Sequence, residues 1–293
     1  METQSSFTPL DLYHKERFRF PRITIITSTF NCAVALRKTA QSIRNQNYKN
    51  TQWIIVDAAS TDNTVEVIKE NLDIVNDWIS EPDDSIYDAW NKASQFIDGE
   101  WVLFLGAGDV IADRTVLDNI ARRACSLDNA IAVIYGNVLI QKPDGTPRYT
   151  DRKTQLNYWE FGRPALPHHQ GVFHHRRLFT AQTPFDPSYR IAGDGKFLLL
   201  ATKQGAFLHV DLTVAMMTDD GASNDYRNIF TTRREFRRMC RELGIKVPFL
   251  HKIASDIKWL LQYVGHKILS GKTTVYAQKL LDKLRNIFEP AGS

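Results

Sequence analysis

The sequence predicts an α/β fold, a mostly parallel sheet flanked by helices, with a C-terminal helical extension. Three observations predict it. Short apolar, β-branched runs alternate with segments of helical period through the first hundred residues; the last quarter is helical and basic; and 293 residues with 43% hydrophobic content suffice for one large core plus an appendage. Strands alternating with helices of this length imply parallel pairing through right-handed crossovers.

Residues 1–21 show no sustained period and read as an N-terminal arm. Ile23 to Thr29 is an apolar run suited to a buried parallel strand, and Ala33 to Asn45 has apolar residues at helical spacing. Trp53 to Asp57 is the next strand, and Val65 to Leu72 a helix opened by Asp62, whose carboxylate can cap exposed N–H groups. Ile74 to Ile79 is a third strand. Ile86, Trp90, Ala93 and Ile97 then recur as one helix face, with Asp88, Asn91, Lys92 and Gln95 on the other, and Trp101 to Leu105 is again a strand. Ile131 to Ile140 is a further strand, closed by a turn at Pro143, Asp144 and Gly145. Residues 146–175, rich in aromatics, Pro and His with little periodicity, suit a site-forming insertion or lid more than a core element. A turn at Pro184 to Pro187, a helix near Asp194 to Lys203 and a strand at Phe207 to Ala215 complete a catalytic domain over 22–225, and residues 226–293 form the basic helical extension.

Composition narrows the class. The apolar content excludes a disordered or fibrous chain, and the longest apolar stretches, such as Trp101 to Ala107 and Trp259 to Leu261, fall short of the roughly 18 to 20 residues of a membrane span. The N-terminus carries Asp11, Lys15, Glu16 and Arg17 and no apolar signal core, so a cytoplasmic location is expected. Cys32, Cys125 and Cys240 are widely spaced and form no CxxC pair, which argues against a disulfide framework and a Cys-based zinc site. The net charge of +4 is uneven: from Tyr226 onward 14 Lys and Arg face 5 acids. A basic helical tail of this kind is compatible with the anionic face of a membrane or a packed bundle, on this chain or in a homo-oligomer. Nucleic acid is not expected as a partner, because no recognition motif accompanies the charge.

In an open α/β sheet ligands bind outside the carboxyl ends of the strands. Polar residues stand there after nearly every strand: Thr27, Thr29 and Asn31, then Asp57, then Asp83 and Asp84, then Asp109. Each singly suits a cap or a turn; placed together on one rim they suit a polar ligand.

The runs IITSTFN, QSIRNQNY, WIIVDAASTDNTVEVIKE, WISEPDDSIYDAWNKA and GEWVLFLGAGD resemble the family 2 glycosyltransferases of the GT-A fold. Within that family they resemble the exopolysaccharide and lipopolysaccharide branch, with its SEPD, GIYDAMNKG and FLNAGD pattern. The resemblance covers roughly residues 22–223. It implies transfer of a sugar from a nucleotide sugar, with a UDP-sugar favoured, to a glycan or lipid-linked acceptor. It implies that Thr27, Thr29 and Asn31 line the nucleotide pocket, that Asp57 bonds the base or ribose, that Asp83 lies near the base, and that Asp88 and Asn91 face the donor. Asp109 matches the family's metal-binding carboxylate, for Mg²⁺ or Mn²⁺ bridging the donor diphosphate. Gly106, Ala107 and Gly108 stand where many relatives carry further acids, so one protein carboxylate remains. Asp194, in FDPSYRIAGDGKFLLL, matches the base that takes the acceptor proton, with an N-cap as its structural alternative and Asp186 a neighbour better read as a turn. His169 and Gln170 match an HQ element beside acceptor and diphosphate. Asp219, Asp220, Gly221 and Ser223 occupy the place of a GG-x-S loop, with Asp220 replacing its first Gly.

Competing motifs are weaker. His168, His169, His174 and His175 suggest zinc, but neighbours in each pair point to opposite sides of a strand. Gly271, Lys272 and Thr273 resemble the end of a P-loop, which needs glycine where His266 stands. A nucleotidyltransferase would carry a Gly-rich basic loop in place of TSTFN, and a non-catalytic nucleotide-sugar-binding module would explain the lost acids at 106–108.

Overall fold

A computed structural model of the chain describes residues 20–142, 145–150, 159–160, 163–219 and 228–268. Most of the expected arm, the residues Asp220 to Ser223 and the Gly271 segment lie outside them.

The first half is the expected alternation. Strands β1 (Ile23–Thr29), β2 (Thr51–Asp57), β3 (Asp77–Ser80) and β4 (Trp101–Phe104) alternate with helices α1 (Ala33–Arg44), α2 (Thr64–Glu70) and α3 (Ile86–Ser94). They pair in parallel in the order β3-β2-β1-β4, with Thr29 opposite Asp57 and Asp57 opposite Ser80. The strands read as near-continuous apolar runs because both faces are covered. Ile23, Ile25, Trp53 and Ile55 enter the core on one side, and Ile26, Ile54 and Val56 the core on the other.

Past β4 the pairing changes hand. After β5 (Val110–Ile111) and α4 (Val116–Cys125) come β6 (Ile131–Gln141), β7 (Pro147–Thr150), a small ladder of β8 (Trp159–Glu160) and β9 (Arg163–Pro164), and β10 (Val172–His175). β10 lies between β4 and β6, antiparallel to both. Helix α5 (Gly193–Ala201) and β11 (Ala206–Thr218) follow, β11 parallel to β6 and antiparallel to β5. The region read as a lid therefore contributes a central strand. Phe173 and His174 are completely buried there, and a histidine inside a strand hides its apolar surroundings from a hydropathy pattern. Helix α4 is a further element that the sequence reading did not assign, although its buried Val116, Leu117, Ile120, Ala121 and Ala124 follow a regular helical period.

The face of α3 also differs from expectation. Tyr87, Ala89, Asn91 and Ala93 are its buried residues and Ile86 is exposed, so the apolar stripe is turned by about one position.

Helices α6 (Ile229–Glu242) and α7 (Phe249–Ile268) lie beyond the expected boundary at 225. Helix α6 nevertheless completes the core: Met239 is fully buried in the cluster holding Tyr87, Phe185, Tyr189 and Phe197, with Phe236 and Leu243 packed against it. Its Glu242 accepts from Lys196 and Tyr189, and the Lys196 ammonium holds that carboxyl at about 2. No helix among the described residues is long and apolar enough to cross a membrane.

If α6 belongs to this core, Met239→Ala removes a fully buried side chain and lowers unfolding free energy by about 2–5 kcal/mol. Urea unfolding monitored by tryptophan fluorescence reads it, and an unchanged midpoint would show α6 to be a separable tail.

Candidate active site

At the carboxyl end of β1 and β2 the two rim loops are stitched together. The Asn31 backbone N–H donates to Ser60 Oγ at 2.8 Å, and the Asn31 side-chain oxygen accepts from the N–H groups of Thr61 and Asp62 at 2.8 and 3.3 Å. Asp62 accepts from Thr64 N at the start of α2 and from Ala33 N at the start of α1, so it caps one helix as expected and reaches the next. Hydrogen bonding, led by the Thr64 hydroxyl, holds its carboxyl below the usual range. Both loops need left-handed backbone at a non-glycine residue, Asn31 with φ 47° and Ala59 with φ 54°. Asn tolerates that region, whereas Ala is strained in it.

Asp57 is buried rather than open to a ligand. Its carboxylate accepts from Thr29 Oγ1, from Ser60 N and Oγ, and from Ser80 Oγ. This acid thus ties three strand ends into one rim, which changes its expected role as a direct base or ribose contact to that of a brace. Thr27 requires the same correction: it is completely buried and its hydroxyl accepts from Trp53 Nε1 at 3.0 Å, because its side chain lies on the α1-facing side of β1. Thr29 is buried against Asp57. Phe30, between them and Asn31, is 62% exposed. It is the residue the reading for polar groups passed over, and an exposed aromatic on a ligand-binding rim is the signal that marks it.

Beyond β3, Asp83 is half-buried, and its carboxyl is pushed up by burial and by the nearby charges of Asp88, Asp57 and Asp84, against Lys92. Asp88 accepts from Asp84 N while Ser85 Oγ accepts from Asp88 N, a reciprocal cap on α3, and Lys92 pairs with Asp88 at 3.2 Å. Asn91 does not face the rim. Its amide donates to Phe185 O and accepts from Phe185 N, at 2.8 and 2.9 Å, because α3 is rotated to bury it.

The GAGD loop after β4 is held from α1. Thr39 Oγ1 donates to Asp109 O at 2.8 Å and accepts from Gly108 N at 2.9 Å. Gly108 has φ 103°, and a Cβ on Gly106 would stand 2.8 Å from Asp109 Oδ2, which accepts from Gly106 N. The glycines at 106 and 108 thus let the loop fold back around its one acid. Among the described residues no three His, Cys, Asp or Glu side chains gather to hold a metal. A lone carboxylate fits an ion that completes its shell with diphosphate oxygens and water, as Mg²⁺ commonly does.

Asp194 lies in the first turn of α5, whose N-cap is Ala192. It therefore does not serve as that cap; its Oδ1 accepts from Gly195 N and stands 3.4 Å from the Tyr87 hydroxyl. That hydroxyl donates to Ile191 O at 2.6 Å and accepts from Gly193 N at 2.9 Å. Asp186 is engaged in a turn with Ser188 and in an ion pair with Lys196. His169 is buried and lies flat on Trp90, rings 4.9 Å apart at 10°, with His174 5.0 Å away. Neither ring has a hydrogen-bond partner among the described residues, and His169 at 6% exposure does not stand open at the rim, whereas Gln170 is partly exposed.

This fold and rim define a GT-A glycosyltransferase. The chain belongs to the glycosyl transferase family 2, whose description matches residues 24–179. It is similar to a PGL/p-HBAD biosynthesis glycosyltransferase of Mycobacterium bovis, 27% identical over 240 residues, which span 78% of this chain and 88% of that protein. It is 25% identical over 224 residues to a chondroitin synthase of Pasteurella multocida, covering 74% of this chain and 22% of that one. Two solved structures share the fold at 15% identity. They are S. aureus TarS 1–349 in complex with UDP-GlcNAc (TM-score 0.56, 91% of this chain and 80% of that) and a Pyrobaculum calidifontis mannosyltransferase in complex with GDP-Man and Mn²⁺ (0.57, 94% and 83%).

Two predictions follow from the geometry. Ala59→Gly relieves a strained φ and raises the thermal unfolding midpoint by about 2–4 °C, the shift expected for roughly 1 kcal/mol in a domain of this size; a lowered midpoint would contradict the strain. The second concerns the buried histidines. Burial holds His169 at about 4, partly opposed by Asp194, and pushes His174 well below its ordinary 6.5, with His169 adding to the effect. The unfolded chain protonates both rings near 6.5 and the folded one does not, so stability present above that pH is lost as pH falls toward 4, on the order of 3 kcal/mol for His169 alone. His174→Leu flattens the unfolding free energy across that window, and parallel profiles for the two proteins would refute the assignment.

Proposed function

We propose that this enzyme transfers a sugar from a nucleoside diphosphate sugar to a hydroxyl of a glycan or lipid-linked acceptor, with inversion at the anomeric carbon. The observation that carries this reading is the placement of Asp194 in the first turn of α5, where Gly195 N and the Tyr87 hydroxyl engage one carboxylate oxygen, Oδ1, and the other is left for the acceptor proton. The acceptor oxygen attacks the anomeric carbon as Asp194 takes its proton, the bond to the diphosphate breaks on the opposite face, and the nucleoside diphosphate leaves.

The donor lies along the rim. Phe30 offers a ring face to the base, Asn31, Asp83 and Asp88 offer polar contacts, and Thr29 and Asp57 brace the rim from behind, while Thr27 and Asn91 sit deeper, against Trp53 and Phe185. Asp109 would hold Mg²⁺ or Mn²⁺ against the diphosphate, where the ion neutralises charge on the leaving group; the Mn²⁺ in the mannosyltransferase complex supports this. The UDP-GlcNAc and GDP-Man complexes of the structural neighbours support a nucleotide-sugar donor, with a UDP-sugar the first to test. Relatives named for PGL/p-HBAD biosynthesis and as a chondroitin synthase support a growing glycan as acceptor. Of the HQ pair, Gln170 is the member placed for an acceptor or phosphate contact. Helix α7 exposes Phe249, Leu250, Ile253, Ile257 and Leu260, and this apolar stripe on a basic tail supports a peripheral site on the cytoplasmic face of a membrane, where a lipid-linked acceptor is reached.

Asp194→Asn lowers kcat for transfer by about 10²–10⁴-fold, the usual worth of a general base, with the UDP-sugar Kd unchanged. Asp109→Asn removes the Mn²⁺-dependent part of the thermal stabilisation given by UDP-sugar, which arises because a ligand of the native state raises its stability. Full transfer by the first variant, or undiminished Mn²⁺ dependence in the second, contradicts the site.

A further inference from the structure

Helix α5 follows a turn whose own side chains offer its N–H groups no acceptor. Its N-cap Ala192 has no polar side chain, yet the chain turns sharply before it and buries the Ala192 backbone. Buried N–H groups need partners, and here they come from other elements. Glu235, in the middle of α6 and 5% exposed, accepts from Arg190 N at 2.7 Å and from Ile191 N and Ala192 N at 2.9 Å each. Tyr87 of α3 takes the next donor, Gly193 N, and a Cβ on Gly193 would stand 2.8 Å from its ring. One residue later stands Asp194.

A carboxylate accepting three backbone N–H groups fixes both ends of a turn and sits favourably at a helix N-terminus.

We infer that Glu235 is a positioning residue for Asp194: a carboxylate supplied across the fold by α6 that sets the turn 190–192, and so fixes where the first turn of α5 holds Asp194. Helix α6 is thereby part of the catalytic apparatus. This rests on the reading of Asp194 as the base.

A double-mutant cycle tests it in the full-length chain, with transfer from UDP-sugar as readout. Glu235→Gln keeps the shape of the side chain but turns an NH₂ group toward N–H donors. The expected result is a kcat at least tenfold lower, with donor KM within twofold of the parent. In the Asp194→Asn background the same change alters kcat by less than twofold, because the group it positions is already gone. Glu235→Asp, which keeps the charge, recovers part of the kcat lost in Glu235→Gln, and it carries the same cycle where the Gln variant yields no folded protein. A loss of equal proportion in both backgrounds, or a loss confined to KM, overturns the positioning role while leaving Asp194 as base. Full turnover by Asp194→Asn alone overturns the base assignment, and the positioning role with it.

Discussion

The backbone N–H groups of residues 190–193 are the constraint around which the second half of the protein is arranged. They are turned inward ahead of a helix that carries no cap of its own, and a buried donor without an acceptor costs about 1–3 kcal/mol. Two elements far apart in sequence converge to meet that demand, α6 through Glu235 and α3 through Tyr87, and Gly193 admits the Tyr87 ring by having no side chain in the way. Asn91 extends the same clasp to Phe185, and Lys196 with Glu242 closes its outer edge. The motif SIYDAWNKA, which identifies the family so readily, is mostly scaffold in this light. Tyr87 and Asn91 hold the turn, and Trp90 stacks on His169.

The first half solves a different problem, that of gathering several acids on one rim. Asp57 is enclosed by hydroxyl and amide donors from β1, β2 and β3, so its charge is spread over hydrogen bonds. The outer acids Asp83 and Asp88 share Lys92. A rim built in this way is rigid at its base and negatively charged at its lip. That suits a ligand that meets the protein partly through a divalent ion.

The parallel half was legible in the sequence because its strands are buried on both faces and so read as unbroken β-branched runs. The strand β10 was illegible for the same physical reason inverted: His174 is as buried as Phe173 beside it, but a neutral histidine among aromatics counts as polar in any pattern. At the site, strand-end position leads to the polar residues of the rim, and the helix-start signal to Asp62, which accepts from Thr64 N at the start of α2. It does not distinguish a side chain that lines a pocket from one that supports it, because Thr27 and Thr29 differ in environment only through what α1 and β2 place beside them. Glu235 was the least legible. It sits in a run of arginines, where an acid looks like one more surface charge, and its partners are backbone groups more than 40 residues away.

The insertion of β10 between β4 and β6 also sets an order of assembly. The four parallel strands have all their parallel partners once Trp101–Phe104 has been synthesised, and their crossovers are short, so this half can collapse early. β6 joins that unit only through β10, synthesised some thirty residues later, and the turn before α5 waits for Glu235. The parallel half and its strand-end rim can therefore form before the second half exists, and a chain stalled between the two exposes an open sheet edge at β4, the surface a chaperone would need to shield.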